Sequence, residues 1–381
     1  MVTPCFAITG GCGYIGLRLA RHLLEINYSN TVILLDIHPP PSNDEQQFNS
    51  NISRLTYRHC DLRSHKSVFE ALSNVTCVFH LASYGMSGRE MLDRSMIYDV
   101  NVIGTENIIN ACIKHGINKI IYCSTYNAVY TGNKELLGVT EDECAYPSQE
   151  SYYDNYSRTK SLAEQIILKA SSSTLHTAAI RPAAIYGDGE LRHLPRILNL
   201  VNQGLAFFAV GQENILCDWV YADNLVSALI LAEKSLPKYS GEAYFISDDY
   251  PVNNFQFLSQ LTKGLGYENC FAFYIPTIIM FYLGYIIEII HNLVAKRIYN
   301  FAPFLTRSEV LKVGVTHYAN ITKAKTLLGY RVKVSPDEAM QRCIKWYDEH
   351  GYRKKTNEKH LTYIWLLIAS LIIFWIFVLL F

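Results

Sequence analysis

Cys5-Phe6-Ala7-Ile8-Thr9-Gly10-Gly11-Cys12-Gly13-Tyr14-Ile15-Gly16 is the stretch that decides the fold. Cys5 to Thr9 is an apolar run short enough for a buried parallel strand, and Leu17 to Leu24 carries helical periodicity. The glycines fall between the two. Gly10 permits a tight turn, Gly13 lets the backbone approach a pyrophosphate, and Gly16 lets the helix lie close to the strand. The first helical turn, with Tyr14 and Ile15, offers backbone N–H groups to the anion. A second apolar run, Thr31 to Leu35, ends at Asp36. An acidic residue about 20 positions after such a turn accepts from the adenosine ribose hydroxyls. Its charge would repel a 2′-phosphate, so the expected cofactor is NAD rather than NADP. The plain alternative is a glycine-rich strand–helix turn that binds nothing.

Tyr156-Ser157-Arg158-Thr159-Lys160 is the second informative segment. Asp154 to Ala170 reads as a helix, which places Tyr156 and Lys160 one turn apart on one face. An ammonium beside a phenol stabilises the phenolate, making Tyr156 a candidate general acid/base and Lys160 a candidate ligand for the nicotinamide ribose. The chain holds 27 tyrosines, and Tyr130 with Lys134 repeats the spacing. Tyr130, however, follows a strand and precedes the turn-like Thr131-Gly132-Asn133. The plain reading of Tyr156 is an exposed helical tyrosine with a solvated lysine.

On these residues the chain resembles the extended branch of the short-chain dehydrogenase/reductases, over roughly residues 5 to 350. Cys60-Asp61-Leu62 is similar to the pair that lies against adenine, which assigns Asp61 and Leu62 to the cofactor. Val78-Phe79-His80-Leu81-Ala82-Ser83 resembles the fourth-strand motif, whose small residue, Ala82, leaves room for it. Asn101-Val102-Ile103-Gly104 is similar to the following helix, where Asn101 buttresses the sheet. Arg181-Pro182-Ala183-Ala184-Ile185-Tyr186-Gly187 resembles the strand and turn, with Pro182, that meet the nicotinamide. The third catalytic position in this family is a Ser or Thr at the end of the fifth strand. Here Lys119 to Cys123 is followed by Ser124-Thr125-Tyr126-Asn127-Ala128-Val129-Tyr130. Counting from the strand selects Thr125, with Ser124 its neighbour; counting back from Val129-Tyr130 lands on Tyr126. Strand geometry favours Thr125, and an ordinary strand-end cap is the alternative role for either hydroxyl.

Asp218-Trp219-Val220-Tyr221-Ala222-Asp223-Asn224-Leu225 resembles a block of the 3β-hydroxysteroid dehydrogenases. Together with Ser124-Thr125-Tyr126-Asn127 it looks most like subfamily 42E. The resemblance implies a Rossmann-type doubly wound α/β sheet over residues 1–187, with its core continuing to about 235. A smaller mixed substrate lobe over 188–350, containing an apolar insertion at 270–294, would follow.

The last 21 residues, Leu361 to Phe381, contain no charged side chain, enough for a helix through about 30 Å of hydrocarbon. With the charged neck at 351–360, this predicts a single-pass C-terminal anchor in the endoplasmic reticulum membrane, the catalytic domain facing the cytosol. Cys270 to Ile287 is also uncharged and reads either as a membrane-dipping amphipathic segment at the substrate entrance or as a second span. Lys+Arg and Asp+Glu are both 34, and no basic stripe is visible, so nucleic acid is not an expected partner. The ten cysteines have no metal-ligand spacing, so no metal is expected, and they suit a reducing compartment. A homodimer is left open.

The function expected is NAD-dependent oxidation or reduction at a secondary alcohol of a hydrophobic substrate, a 3β-hydroxysteroid or sterol foremost, with the lipid bilayer as a partner. Two other readings compete. One is a sugar-nucleotide epimerase or dehydratase with retained NAD. The other is a non-catalytic membrane-tethered NAD-binding scaffold.

Overall fold

A computed structural model describes residues 4–354 apart from 27, 29–30, 41–52, 295–302 and 304. Seven parallel strands form its central sheet: β1 (Cys5–Thr9), β2 (Thr31–Asp36), β3 (Leu55–His59), β4 (Cys77–His80), β5 (Lys119–Cys123), β6 (His176–Pro182) and β7 (Glu242–Ile246). Their spatial order is β7-β6-β5-β4-β1-β2-β3, so the chain winds outward from β1 in one direction, then restarts at β4 and winds the other way. The reversal opens a crevice at the carboxyl ends of β1 and β4, where ligands of such sheets bind.

Burial explains the composition of the strands. Phe6–Thr9, Val32–Leu35 and Cys77–His80 are buried throughout, because helices cover both faces. On one face, helices α1 (Tyr14–Glu25) and α4 (Ala222–Ser235) pack Leu19, Leu23, Val226 and Leu229 against Phe6, Ile8 and Phe79. On the other, α2 (Gly104–His115) and α3 (Asn155–Lys169) pack Ile108, Cys112, Ala163 and Ile167 against Ala7, Val78 and Ile120. The sheet is not complete at position 235, since β7 returns to pair with β6 from Glu242↔Ala178 to Ile246↔Pro182.

A second lobe has its own core, in which Leu194, Leu198, Trp219, Phe257, Leu261, Met340 and Tyr347 meet. Three short parallel pairs join distant parts of the chain. They are Ala184–Tyr186 with Trp219–Tyr221, Phe208–Val210 with Phe273–Ile275, and Leu136–Val139 with His317–Ala319.

One expectation is corrected. No helix among the described residues is long and apolar enough to cross a membrane. The apolar insertion forms α5 (Thr277–Val294), but this helix lies along the protein. Its Glu288 is ion-paired with Arg307 at 2.8 Å, and Gly284 is pressed against the backbone of Thr306 and Arg307, which leads into α6 (Arg307–Gly314). A paired carboxylate fixed to a neighbouring helix suits a helix docked on its own chain, not a second span. The fold class is therefore a doubly wound α/β sheet with a substrate lobe and no membrane-spanning helix among the described residues. The single-pass anchor, and the endoplasmic reticulum location that followed from it, have no spanning helix to rest on among the described residues. Residues 361–381 and the neck beyond 354 lie outside the described residues.

Candidate active site

The glycine turn links β1 to α1 with little space to spare. Gly10 sits at φ +64°, and a Cβ there would meet Ala82 Cα at 3.0 Å. A Cβ on Gly16 would run into the Gly10 carbonyl oxygen. Gly13 differs: its only close neighbour would be the Gly10 oxygen at 3.2 Å, and the residue faces outward. It also stands at the N-cap of α1 with no side-chain cap, so first-turn N–H groups remain for an anion. Asp36 closes the turn from the end of β2, its carboxylate accepting from the N–H groups of Cys12 (3.2 Å) and Ile37 (2.8 Å). Burial, reinforced by the Asp36 charge, pushes the Cys12 thiol up to about 12, so it stays protonated near neutrality. A cradle that only glycine fits, an uncapped helix start and a carboxylate at the ribose position suit a dinucleotide.

The flanking residues divide into those that face this crevice and those that build it. Tyr14 reaches away from the turn: its hydroxyl donates to the Asp188 carbonyl oxygen at 3.1 Å, and its ring lies under the Arg18 guanidinium. Ile15, beside it, is half-buried against the core on that face of the sheet. Asp61 is gripped by Arg63 through a fork at 2.9 and 2.7 Å, which holds its carboxyl below the usual range. Leu62 is buried beneath Gly104, where a Cβ would approach it to 2.9 Å. Ala82 donates its N–H to the Thr9 hydroxyl at 3.2 Å.

Asn101 is buried and fully engaged: its amide exchanges hydrogen bonds with the backbone of Tyr84 (2.8 and 3.0 Å) and donates to the Thr159 hydroxyl at 2.9 Å. It thus pins the loop after β4 to α3 with both ends of its amide engaged. Pro182 ends β6, paired with Ile246.

Tyr156 and Lys160 occupy the buried face of α3, opposite the end of β5. The Lys160 ammonium donates to the Cys123 carbonyl oxygen at 2.6 Å and lies 4.1 Å from the Tyr122 ring centre. Burial lowers it to about 8, against the pull of Cys123 and Glu164. Burial pushes the Tyr156 phenol up, and the charge of Asp154 adds to this. The Ser83 hydroxyl and the Arg192 charge act in the opposite direction. Ser124 and Thr125 follow β5, both buried. Thr125 Oγ1 accepts from the Asn127 N–H at 3.3 Å, while Ser124 Oγ has no hydrogen-bond partner among the described residues. Tyr126 turns the other way and donates to Asp218 at 3.0 Å. Tyr130, of the second Tyr–Lys spacing, is buried against His317 and donates to the Leu311 carbonyl oxygen.

The sequence profile of the 3-beta hydroxysteroid dehydrogenase/isomerase family matches residues 7–276. The chain belongs to that family. It is similar to short-chain dehydrogenase/reductase family 42E member 1 of Danio rerio, 42% identical over 93% of this chain and 91% of the relative. It is also similar to the decarboxylating sterol-4-alpha-carboxylate 3-dehydrogenase of Saccharomyces cerevisiae, 32% identical over 90% of this chain and 97% of that one. Among solved structures, the dTDP-glucose 4,6-dehydratase DesIV of Streptomyces venezuelae, with NAD bound, matches 91% of this chain and 97% of its own at a TM-score of 0.70. At 19% identity that likeness is one of fold. Family membership makes the chain an NAD-dependent oxidoreductase of the short-chain dehydrogenase/reductase type, as the glycine turn and the Tyr–Lys pair had indicated.

Three groups at this family site were not singled out from the sequence. His80 is buried between Thr9 (2.7 Å) and Thr105 (3.0 Å), and burial keeps it neutral by lowering it to about 3. Because the Thr105 hydroxyl donates to the Asn101 carbonyl oxygen, it accepts from His80, and the ring proton sits on Nε2. Asp154 caps α3 by accepting from the Ser157 N–H at 2.7 Å, an N-cap readable from its residue type just before the helical run. Arg192 stands in the loop after the Ala184–Tyr186 strand, and no local pattern marked it.

Proposed function

We propose that the chain oxidises the 3β-hydroxyl of a sterol or steroid, with Tyr156 as the group that moves the hydroxyl proton. The observation that carries this reading is that Tyr156 and Lys160 lie on the buried face of α3, with Lys160 fastened to the Cys123 carbonyl oxygen at the end of β5, in a chain whose glycine turn fits a dinucleotide. The names of the relatives support the substrate class, since one acts on a sterol carboxylate at position 3 and another is a plant 3beta-hydroxysteroid-dehydrogenase/decarboxylase.

Gly10, Gly13 and Gly16 shape the turn that would hold the pyrophosphate, and Asp36 would hold the adenosine ribose. When bound, NAD supplies the acceptor for the hydride of the carbinol carbon. Tyr156, as phenolate, takes the hydroxyl proton; in reverse it returns it. Lys160, one helical turn from Tyr156 and held in place by the Cys123 carbonyl oxygen, would hold the nicotinamide ribose. Thr125 has its acceptor side used by Asn127, which leaves its proton for the substrate oxygen. His80 and the Ala82 N–H hold the end of β4 against Thr9 at the glycine turn, and Asn101 pins the following loop to α3.

NADH formation with a panel of 3β-hydroxysterols, run beside Tyr156→Phe, tests the reading. We expect turnover by the wild type, loss of at least about 100-fold in the variant, and unchanged NAD binding. NAD binding without turnover of any sterol would overturn the substrate assignment.

A further inference from the structure

We propose that Lys312 is a positioning residue for this reaction: from the substrate lobe, and through Asp154, it seats the first turn of the helix that carries Tyr156. The proposal rests on the reading of Tyr156 given above.

Asp154 does two jobs with two oxygens. Oδ1 caps α3 by accepting from the Ser157 N–H at 2.7 Å, which is all that a helix start requires. Oδ2 is occupied separately, by the Ser157 hydroxyl at 2.9 Å, by the Lys312 ammonium at 3.0 Å and by the Ser308 hydroxyl. Lys312 and Ser308 both belong to α6, more than 150 positions further along the chain. The carboxylate is 9% exposed and the ammonium 25%, so the pair is largely removed from water. A pair desolvated to this degree returns little net stability over an apolar replacement. What it provides is a direction, because three donors on one oxygen fix where the carboxylate, and the turn it caps, can sit.

A second grip lies one residue earlier. Tyr153 packs edge-on against Phe281 of α5, ring centres 5.6 Å apart, and the Arg307 guanidinium lies 5.3 Å from the Tyr153 ring and 4.8 Å from Tyr285. Arg307 is itself held by Glu288 at 2.8 Å. Helices α5 and α6 therefore hold positions 153 and 154, two residues before the proposed proton-transfer tyrosine. Cys123, which anchors Lys160, holds the same helix from the sheet side. Tyr156 is thus located from two directions, by the dinucleotide half through Lys160 and by the substrate lobe through Lys312.

The test uses the full-length chain and the sterol that the wild type turns over best. Lys312→Met should lower kcat by about 10- to 100-fold, because a small displacement of a reacting group costs that much, while the Kd for NAD changes less than about twofold. Lys312→Arg should restore most of kcat, and Ser308→Ala should show a smaller loss in the same direction. Equal losses in Lys312→Met and Lys312→Arg, or weaker NAD binding in step with the lost kcat, would mean general unfolding and would overturn the proposal. Wild-type kcat in Lys312→Met beside an inactive Tyr156→Phe would sink this inference alone. Full activity in Tyr156→Phe, or no sterol turnover by the wild type, would remove the reading beneath it.

Discussion

Asp218 shows how a single residue can make this fold sensitive to pH. Its side chain is almost fully buried; Oδ2 accepts from Tyr126 and from the Ala319 N–H at 2.9 Å, but Oδ1 has no partner among the described residues. Burial pushes the carboxyl up to about 7, and the two hydrogen bonds only partly oppose it. The folded state therefore holds a proton between about pH 4 and 7 that the unfolded chain has released, so stability falls as pH rises through that window and the cost is fully present above it. Asp218→Asn should flatten the dependence, with a difference on the order of 4 kcal/mol at most between the ends of the window. Urea melts of both proteins from pH 4 to 8 would show it, and parallel pH profiles would refute it. The hydroxyls after β5 give a second test at this scale. Thr125→Val should lower kcat by about 100-fold if Thr125 donates to the substrate oxygen, with Ser124→Ala nearly silent. The reverse ranking would assign the role to Ser124, whose unpaired hydroxyl is already free to donate.

At the scale of elements, the turn between β1 and α1 separates packing from binding. A Cβ on Gly16 would collide with the Gly10 oxygen and come within 2.7 Å of Gly11 Cα, so Gly16→Ala must push α1 off the strand. We expect about 1–3 kcal/mol of lost stability together with lost NAD binding. Gly13→Ala meets only one atom, at 3.2 Å, and should weaken NAD binding at least tenfold with little change in Tm. Calorimetric titration and thermal melts distinguish the two; equal losses of Tm would contradict the division. This element was legible because its signals are local: an apolar run, three glycines, a helical period and Asp36 lie within one strand–helix–strand unit. The start of α3 was legible to within a residue, since Asp154 is an N-cap type before a periodic run. What could not be read were partners distant in sequence. Nothing in the segment around Asn101 announces Thr159, and nothing near Asp154 announces Lys312. Hydropathy left a second span open at α5 for the same reason. An uncharged run looks free to cross a bilayer until Glu288 is seen fastened to Arg307, a residue in another helix.

Across the whole molecule, the two halves are tied by a residue in the first helix. The Arg18 guanidinium binds the Asp223 carboxylate at 2.6 Å and the Asp188 carboxylate at 2.8 Å, and donates also to the Asp188 carbonyl oxygen. Asp223 opens α4, which packs beside α1, while Asp188 stands in the loop that leads into the substrate lobe and also accepts from the Tyr221 hydroxyl at 2.6 Å. Arg18 is 16% exposed at its side chain, so replacing it leaves Asp188 with the Tyr221 hydroxyl and Asp223 with the longer Arg342 contact at 3.6 Å. Tyr14 rests on the same loop, so the geometry of the glycine turn depends on where Asp188 sits. Arg18→Met should therefore cost about 1–3 kcal/mol, discounted from a fully buried pair for the partial exposure of both aspartates. It should also raise the KM for NAD several-fold although Arg18 lies outside the glycine turn. Asp223→Asn weakens the more exposed of the two Arg18 contacts, together with a longer one to Arg342, and should have the smaller effect on both. Measured together, a fall in Tm with an unchanged KM for NAD would show that the bridge stabilises the halves without setting the turn. A rise in KM in Arg18→Met that a second substitution, Asp188→Asn, partly reverses would show that the Asp188 charge beside Tyr14 is what disturbs it.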